Sequence, residues 1–336
     1  MATIRDMMAP FQLFQPASVE DALGLLAEHG SQAWVLAGGQ DSFDWFKDRI
    51  KRPRVVVDLG GVEELKGIRA DGEGWRIGAM TPLTSLASDA GVGEFLPLLV
   101  EAAEAVATPQ IRNQATLGGN VIQDTRCWYY RSGWPCYRAG GNTCYAAAPQ
   151  AMNREHCILG ASRCVAVNPS DTAPALIALG ATMVVRDRRR EHLHEAEDFF
   201  VGPAVDITRM TVLRPGQLLT EIRIPRRWNG AAHYFEKVRD RGSWDFALAS
   251  VAAVFRTDGE RIADARMAVN GVAPYPLRLH AVERLVKGEL LTPELEAEAG
   301  GAAIRGARAL RYNDYKIPLL RNLVRRALRS ARGAEG

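Results

Sequence analysis

Apolar residues recur at helical spacing at Ala22, Leu23 and Leu26, directly after Ser18-Val-Glu-Asp21, which has the form of a capping box; Gly30 follows as a stop. "AWVLAGG" then predicts a short buried strand running into a diglycine. "RVVVDLGG" predicts a second strand, ended by Gly60 and Gly61. Residues 1–62 therefore read as a small α/β lobe. From Leu65 the pattern becomes hairpin-like, with Asp71-Gly72 between the two short strands of "IRADGEGWRIGA". A helix is expected over 96–107, where Val100, Ala103 and Ala107 share a face. "TPQIRNQATLGGN" reads as a loop carrying a second diglycine, and "DTAPALIALGATMVVRD" as a helix followed by a strand. This second unit, 63–225, contains a stretch of weak periodicity at about 121–167. A third unit, 226–336, opens with "HYFEKVRDRGSWDFALASVAAVF", continues through "ARMAVNGV" and ends in helices. In the last of these Leu320, Leu323, Val324, Ala327 and Leu328 share a face, with Arg321, Arg325, Arg329 and Arg332 mostly elsewhere on a solvated surface. The run from Arg186 to Arg190 reads as a strand-end turn.

With 336 residues, 47% of them hydrophobic, the chain can bury more than one core and does not need disulfides to fold. Its 42 basic and 39 acidic residues leave a formal charge of +3, too little for a broad cationic face, so no nucleic-acid partner is expected. The N-terminal "MATIRDMMAPFQLFQP" has no apolar run of signal-peptide length, and no segment is long enough to span a bilayer. The expectation is a soluble, cytoplasmic protein, with export alongside a signal-bearing partner left open.

Two segments carry diglycines followed by a polar residue: Ala37, Gly38, Gly39, Gln40 and Asp41, and then Thr116, Leu117, Gly118, Gly119 and Asn120. Glycine lets backbone approach a ligand closely and frees successive N–H groups for phosphate oxygens, and the closing Asp or Asn can fix a ribityl or ribose hydroxyl. The plain alternative is two tight turns. No G-x-G-x-x-G follows the first strand and no G-x-x-x-x-G-K-[ST] occurs, so neither a Rossmann site nor a P-loop is supported.

"AGGQD", "TPQIRNQATLGGN", "NPSDTAPALIALGA" and "FEKVRDRGSWDFALASVA" occur in that order, and together they resemble the FAD-binding medium subunits of the molybdenum hydroxylases, the xanthine dehydrogenase and carbon monoxide dehydrogenase family. The resemblance runs over essentially the whole chain. It implies an α+β architecture: a PCMH-type, vanillyl-alcohol-oxidase-like FAD-binding fold of two α/β lobes, plus a C-terminal α/β domain with a three-stranded antiparallel sheet and helices. It further implies that both glycine segments embrace the FAD diphosphate, that Asp171 contacts the cofactor and that Lys237 lies near the flavin. Gln40 stands where the family usually has a small polar residue. Read without the resemblance, Asp171 is a helix N-cap and Lys237 a solvated strand end.

All five cysteines fall within 38 positions, at 127, 136, 144, 157 and 164, spaced C-x8-C-x7-C-x12-C-x6-C. With no C-x-x-C pair, a zinc knuckle or thioredoxin-like dithiol is poorly matched. A cubane needs only four thiolates, which a long loop can supply, and a bound cluster would give such a loop an internal core. Structural zinc and plain reduced thiols are the alternatives. The insert resembles that of a branch typified by the 4-hydroxybenzoyl-CoA reductase β subunit and the periplasmic aldehyde oxidoreductase flavin subunit, which implies a [4Fe-4S] cluster held by Cys127, Cys136, Cys144 and Cys164. Cys157 is then the spare, with either Cys157 or Cys164 able to reach the cluster. His156 reads as a surface or hydrogen-bonded residue, and Trp128, Tyr129, Tyr130, Trp134 and Tyr137 as cover for the cluster or as a partner contact.

The role implied is electron transfer. A molybdenum-binding large subunit carrying molybdopterin would act on substrate, a small subunit with a [2Fe-2S] cluster would relay electrons, and the FAD of this chain would exchange them with an external electron carrier. No catalytic side chain is required. A stand-alone FAD oxidoreductase and a non-enzymatic iron-sulfur sensor are the rival readings.

Overall fold

The computed structural model describes residues 8–331; Arg332 and the first seven residues of the N-terminal reading lie outside the described residues. Ser18 Oγ accepts a hydrogen bond from Asp21 N–H at 3.1 Å and starts the helix Val19–His29, whose buried face is Val19, Ala22, Leu23 and Leu26. That face covers a three-stranded parallel sheet of β1 (Gln12–Phe14), β2 (Ala33–Leu36) and β3 (Val55–Asp58) in the order β1-β3-β2.

The hairpin of β4 (Ile68–Ala70) and β5 (Gly74–Gly78) turns where the sequence places Asp71-Gly72, and Asp71 Oδ1 accepts from the N–H groups of Glu73 and Gly74. With β6 (Thr182–Arg186), β7 (Glu191–Glu195) and β8 (Leu218–Pro225) it forms an antiparallel sheet ordered β4-β5-β8-β6-β7. A third sheet contains β9 (Ala232–Val238), β10 (Ala249–Asp258) and β11 (Arg261–Asn270). To the expected three strands it adds a two-residue fourth, β12 (Leu277–Arg278), on the outer edge of β11.

The helix Thr172–Leu179 is apolar on every side and all eight of its residues are buried, as such a helix must be in water. It packs on β8 of the second sheet and on β10 and β11 of the third, and Asp171 at its start meets Lys237 of β9. The helix expected over 96–107 is shorter, Pro97–Glu104. Pro97 lacks the N–H that continuation of the preceding helix, Ala90–Phe95, would use, and Ala107 turns out of helical conformation at φ 42°.

Beyond the end of the helix Leu117–Ile122, the 121–167 stretch has only a short helix, Trp128–Arg131, and single 3-10 turns at Tyr137–Ala139 and Tyr145–Ala147. Its order comes from both sides. Tyr130 and Cys136 pack with Trp45 and Phe46 of the helix Ser42–Lys47 and with Val56 of β3. The segment before the last helix straps the far side: Asn313 Nδ2 donates to the carbonyls of His156 and Cys157, Tyr312 N–H to Asn153 Oδ1, Tyr315 O–H to Arg154 O, and Lys316 Nζ to Glu155 O and Gly271 O. The last helix, Lys316–Ser330, buries Leu320, Leu323, Val324, Ala327 and Leu328 as its spacing predicts. No helix among the described residues is long and apolar enough to cross a membrane.

Candidate functional site

Strand β2 ends at Leu36 and delivers Ala37–Asp41 against the 114–116 segment so closely that a Cβ on Gly38 would lie 1.9 Å from Gln114 O. Gly39 turns at φ 76°, and the N–H groups of Gly39, Gln40 and Asp41 have no acceptor among the described residues. The second glycine segment differs from its expected loop. Thr116 caps a helix, Leu117–Ile122, with its Oγ1 accepting from Gly119 N–H at 3.0 Å, while Gly118 N–H is bonded to Ala79 O at 2.8 Å. Free amides are therefore a property of the first segment, not of both. A threonine three residues before a glycine was the signal for the cap.

Between the segments lies a cavity of about 410 Å³, within the range of small-molecule sites. Ala37, Gly38, Gly39, Gln40, Asp41, Thr116, Gly119, Asn120 and Asp171 all contribute to its wall. Gly118 and Lys237 do not. Gly118 sits behind the wall, where a Cβ would come within 2.8 Å of Ala79, and Lys237 acts through Asp171.

Asp171 is at the N-cap position of its helix, yet its side chain caps nothing. Ser170 Oγ accepts from Ala173 N–H and Asn120 Oδ1 from Thr172 N–H instead. The Asp171 carboxylate faces β9, where Lys237 Nζ donates to Oδ2 at 2.6 Å and to Ala105 O at 3.0 Å. Lys237 is thus not a solvated strand end. Burial pushes the Asp171 carboxyl up to about 6 against the opposing pull of Lys237, and its Oδ1 is buried with no partner among the described residues. An unpaired acceptor on a cavity wall calls for a donor from a ligand.

The two polar residues closing the glycine segments are occupied inside the protein. Asn120 Oδ1 accepts from Ser170 Oγ and Thr172 Oγ1 at 2.8 and 2.7 Å. Asp41 accepts from Arg131 Nη2 at 2.6 Å, Arg126 Nη1 at 3.1 Å and Trp45 Nε1 at 3.0 Å. The two arginines come from the insert, so the small lobe, the cavity and the insert meet at one carboxylate. Sequence reasoning missed these arginines because 85 and 90 residues separate them from Asp41. It also missed the rim residues Trp244 and Phe246. Trp244 is left-handed at φ 49° and donates its N–H to the carbonyl of Ala107, itself left-handed, across the cavity edge. Two non-glycine residues in that region concentrate backbone strain at the rim.

Cys127, Cys136, Cys144 and Cys164 line one small pocket together with Tyr129, Tyr130, Tyr137 and Tyr145. Cys157 is buried outside that wall, among Ala146 and Val165. All five thiols are free. Burial raises Cys127 and Cys157 to about 12 and also raises Cys164, so the pocket thiols Cys127 and Cys164 keep their protons unless positive charge enters the pocket. Among the described residues no group of three or more His, Cys, Asp and Glu is gathered for a single metal ion. A cubane presents a separate iron to each thiolate, so four sulfurs around a pocket suit it better than they suit zinc. His156 is buried, not superficial, with Nε2 3.3 Å from Cys127 Sγ; Trp128 and Trp134 are exposed and leave the cover of the pocket to the tyrosines.

Residues 9–227 match the family described as FAD binding domain in molybdopterin dehydrogenase, and residues 233–331 the CO dehydrogenase flavoprotein C-terminal domain. The chain is 32% identical over 326 residues to the carbon monoxide dehydrogenase medium chain of Hydrogenophaga pseudoflava, covering 96% of each. It is 36% identical over 263 residues to the FAD-binding subunit of an aldehyde oxidoreductase of Escherichia coli (strain K12), covering 77% of this chain and 80% of the relative. A solved structure of the Hydrogenophaga pseudoflava carbon monoxide dehydrogenase, in a form lacking the Mo-pyranopterin moiety of the molybdenum cofactor, aligns with a TM-score of 0.79 at 30% identity, covering 98% of this chain and 99% of that one.

Proposed function

The chain belongs to the FAD-binding medium subunits of the molybdenum hydroxylases, and from that premise we propose that it is the electron-transfer subunit of a heterotrimer, holding FAD in the larger cavity and a [4Fe-4S] cluster in the cysteine pocket. Its partners are a molybdenum-binding large subunit and a small subunit with a [2Fe-2S] cluster, and its outlet is an external electron carrier. The division at 62 and 225 into two cofactor-binding lobes and a C-terminal domain belongs to the same reading.

The observation that carries it is the convergence of Ala37–Asp41, Thr116, Gly119, Asn120 and Asp171 on one cavity. When bound, FAD supplies exchange of electrons in pairs or singly. The residues hold and shield it. The free amides of Gly39, Gln40 and Asp41 offer donors to a diphosphate, the Asp171 Oδ1 accepts from a ligand N–H or O–H, and Trp244 and Phe246 offer apolar surface at the rim. For the cluster, support comes from four cysteines on one wall with the fifth outside it.

Flavin and iron quantification with low-temperature EPR after reduction tests the reading. One FAD and one cubane signal per chain are expected. Flavin without iron would remove the cluster, and substrate-driven flavin reduction by the chain alone would overturn the electron-transfer role.

A further inference from the structure

Arg138 is the one described residue that lines both the larger cavity and the cysteine pocket. Its side chain is 4% exposed. Nη2 and Nε donate to Asp124 Oδ1 at 2.6 and 3.1 Å, Nη1 donates to Ile207 O at 3.0 Å, and the guanidinium carbon lies 5.5 Å from the centre of the Tyr130 ring. Asp124 contributes to the wall of the larger cavity but not to that of the cysteine pocket.

A guanidinium stays charged in any protein environment, and away from water its field is weakly screened. A fixed cation beside a redox group favours the form that has gained an electron. At Arg138 one such charge is carried by a side chain that borders both cavities, and a single carboxylate on one side offsets it in part.

On the reading of the smaller pocket as a cluster site, we propose that Arg138 is a positioning residue whose fixed charge raises the reduction potential of the groups held in both cavities, with Asp124 setting how far. The two sites are then coupled electrostatically through one side chain, and a change at Arg138 moves both potentials together.

Redox titration of the full-length chain, followed by cluster EPR and flavin absorbance, tests this. Arg138→Gln is expected to lower both midpoint potentials, each read on the bound flavin and the bound cluster of the purified variant, and Arg138→Lys to bring both back toward the native values. Asp124→Asn, which leaves the cation less compensated, is expected to raise both. Opposite signs for the two neutralising changes support the proposal, and no shift, or shifts of the same sign, overturns it. Should Arg138→Gln fail to fold, an Asp124→Asn protein with native potentials overturns it alone. A native chain with flavin but no cluster signal sinks the iron-sulfur reading instead, and the flavin potential in the same variants still decides the part played by Arg138.

Discussion

Lys237 Nζ meets Asp171 Oδ2 at 2.6 Å with the two side chains 2% and 5% exposed, so strand β9 holds by one ion pair the carboxylate that the start of the helix Thr172–Leu179 turns toward the cavity. Removing one partner of such a pair strands the other charge out of water, which costs about 3–5 kcal/mol. Lys237→Met is therefore expected to destabilise the protein by about that amount and to lower its flavin content. The double change Lys237→Met with Asp171→Asn should recover much of the stability but not the flavin. Urea unfolding and the flavin-to-protein absorbance ratio measure the two effects, and equal loss in single and double variants would contradict the pairing argument.

Gly38 is fixed by the approach of two chain segments. An added Cβ would lie 1.9 Å from Gln114 O, and backbone on both sides leaves nothing flexible to yield. Gly38→Ala should cost about 1–3 kcal/mol and weaken flavin retention. Gly72→Ala, where nothing lies within 4 Å, is the control and should stay near native stability in thermal melts.

The cysteine pocket sorts its thiols by position. Serine at Cys127, Cys136, Cys144 or Cys164 should each abolish stoichiometric iron while the flavin remains, and Cys157→Ser should keep both. Iron analysis after anaerobic purification reads this directly. Loss of iron from the Cys157 variant with retention in the Cys164 variant would exchange the fourth ligand.

Lys316 is a buried ammonium held by two carbonyls, and burial lowers it from 10.5 to about 7. Between those values the unfolded chain binds the proton that the folded chain has released, so stability from this group rises with pH across that window. The stability of the native protein relative to a Lys316→Met variant should accordingly improve from pH 7 to pH 9. Urea midpoints at both values provide the comparison, and parallel pH profiles would contradict it.

Local patterns that carry their own physics were legible in the chain. Ser18 with Asp21, the β-branched Val55–Val57 and the Asp71-Gly72 turn each specify an element within a few residues, and each is found. Glycine spacing also marked the segments that line the cavity. What was not legible depends on separation: the arginines bonded to Asp41, the Asp124–Arg138 pair and the Trp244 rim acquire meaning only when the insert and β9–β10 loop fold back. The reading of 116–120 as a loop failed for a different reason. Gly118 and Gly119 suppress a helix by propensity, and the cap from Thr116 together with the Gly118 bond to Ala79 overrides that bias.

The strap formed by Tyr312, Asn313, Tyr315 and Lys316 has a bearing on biosynthesis. Asn313 lies 157 residues after His156 along the chain, so during translation the insert leaves the ribosome long before the segment that fastens its far side has been made. Throughout that interval the insert lacks its outer fastening. Until then the backbone of 153–157 lacks the bonds that fix it, so the far side of the insert takes its final order only once the start of the last helix has been made.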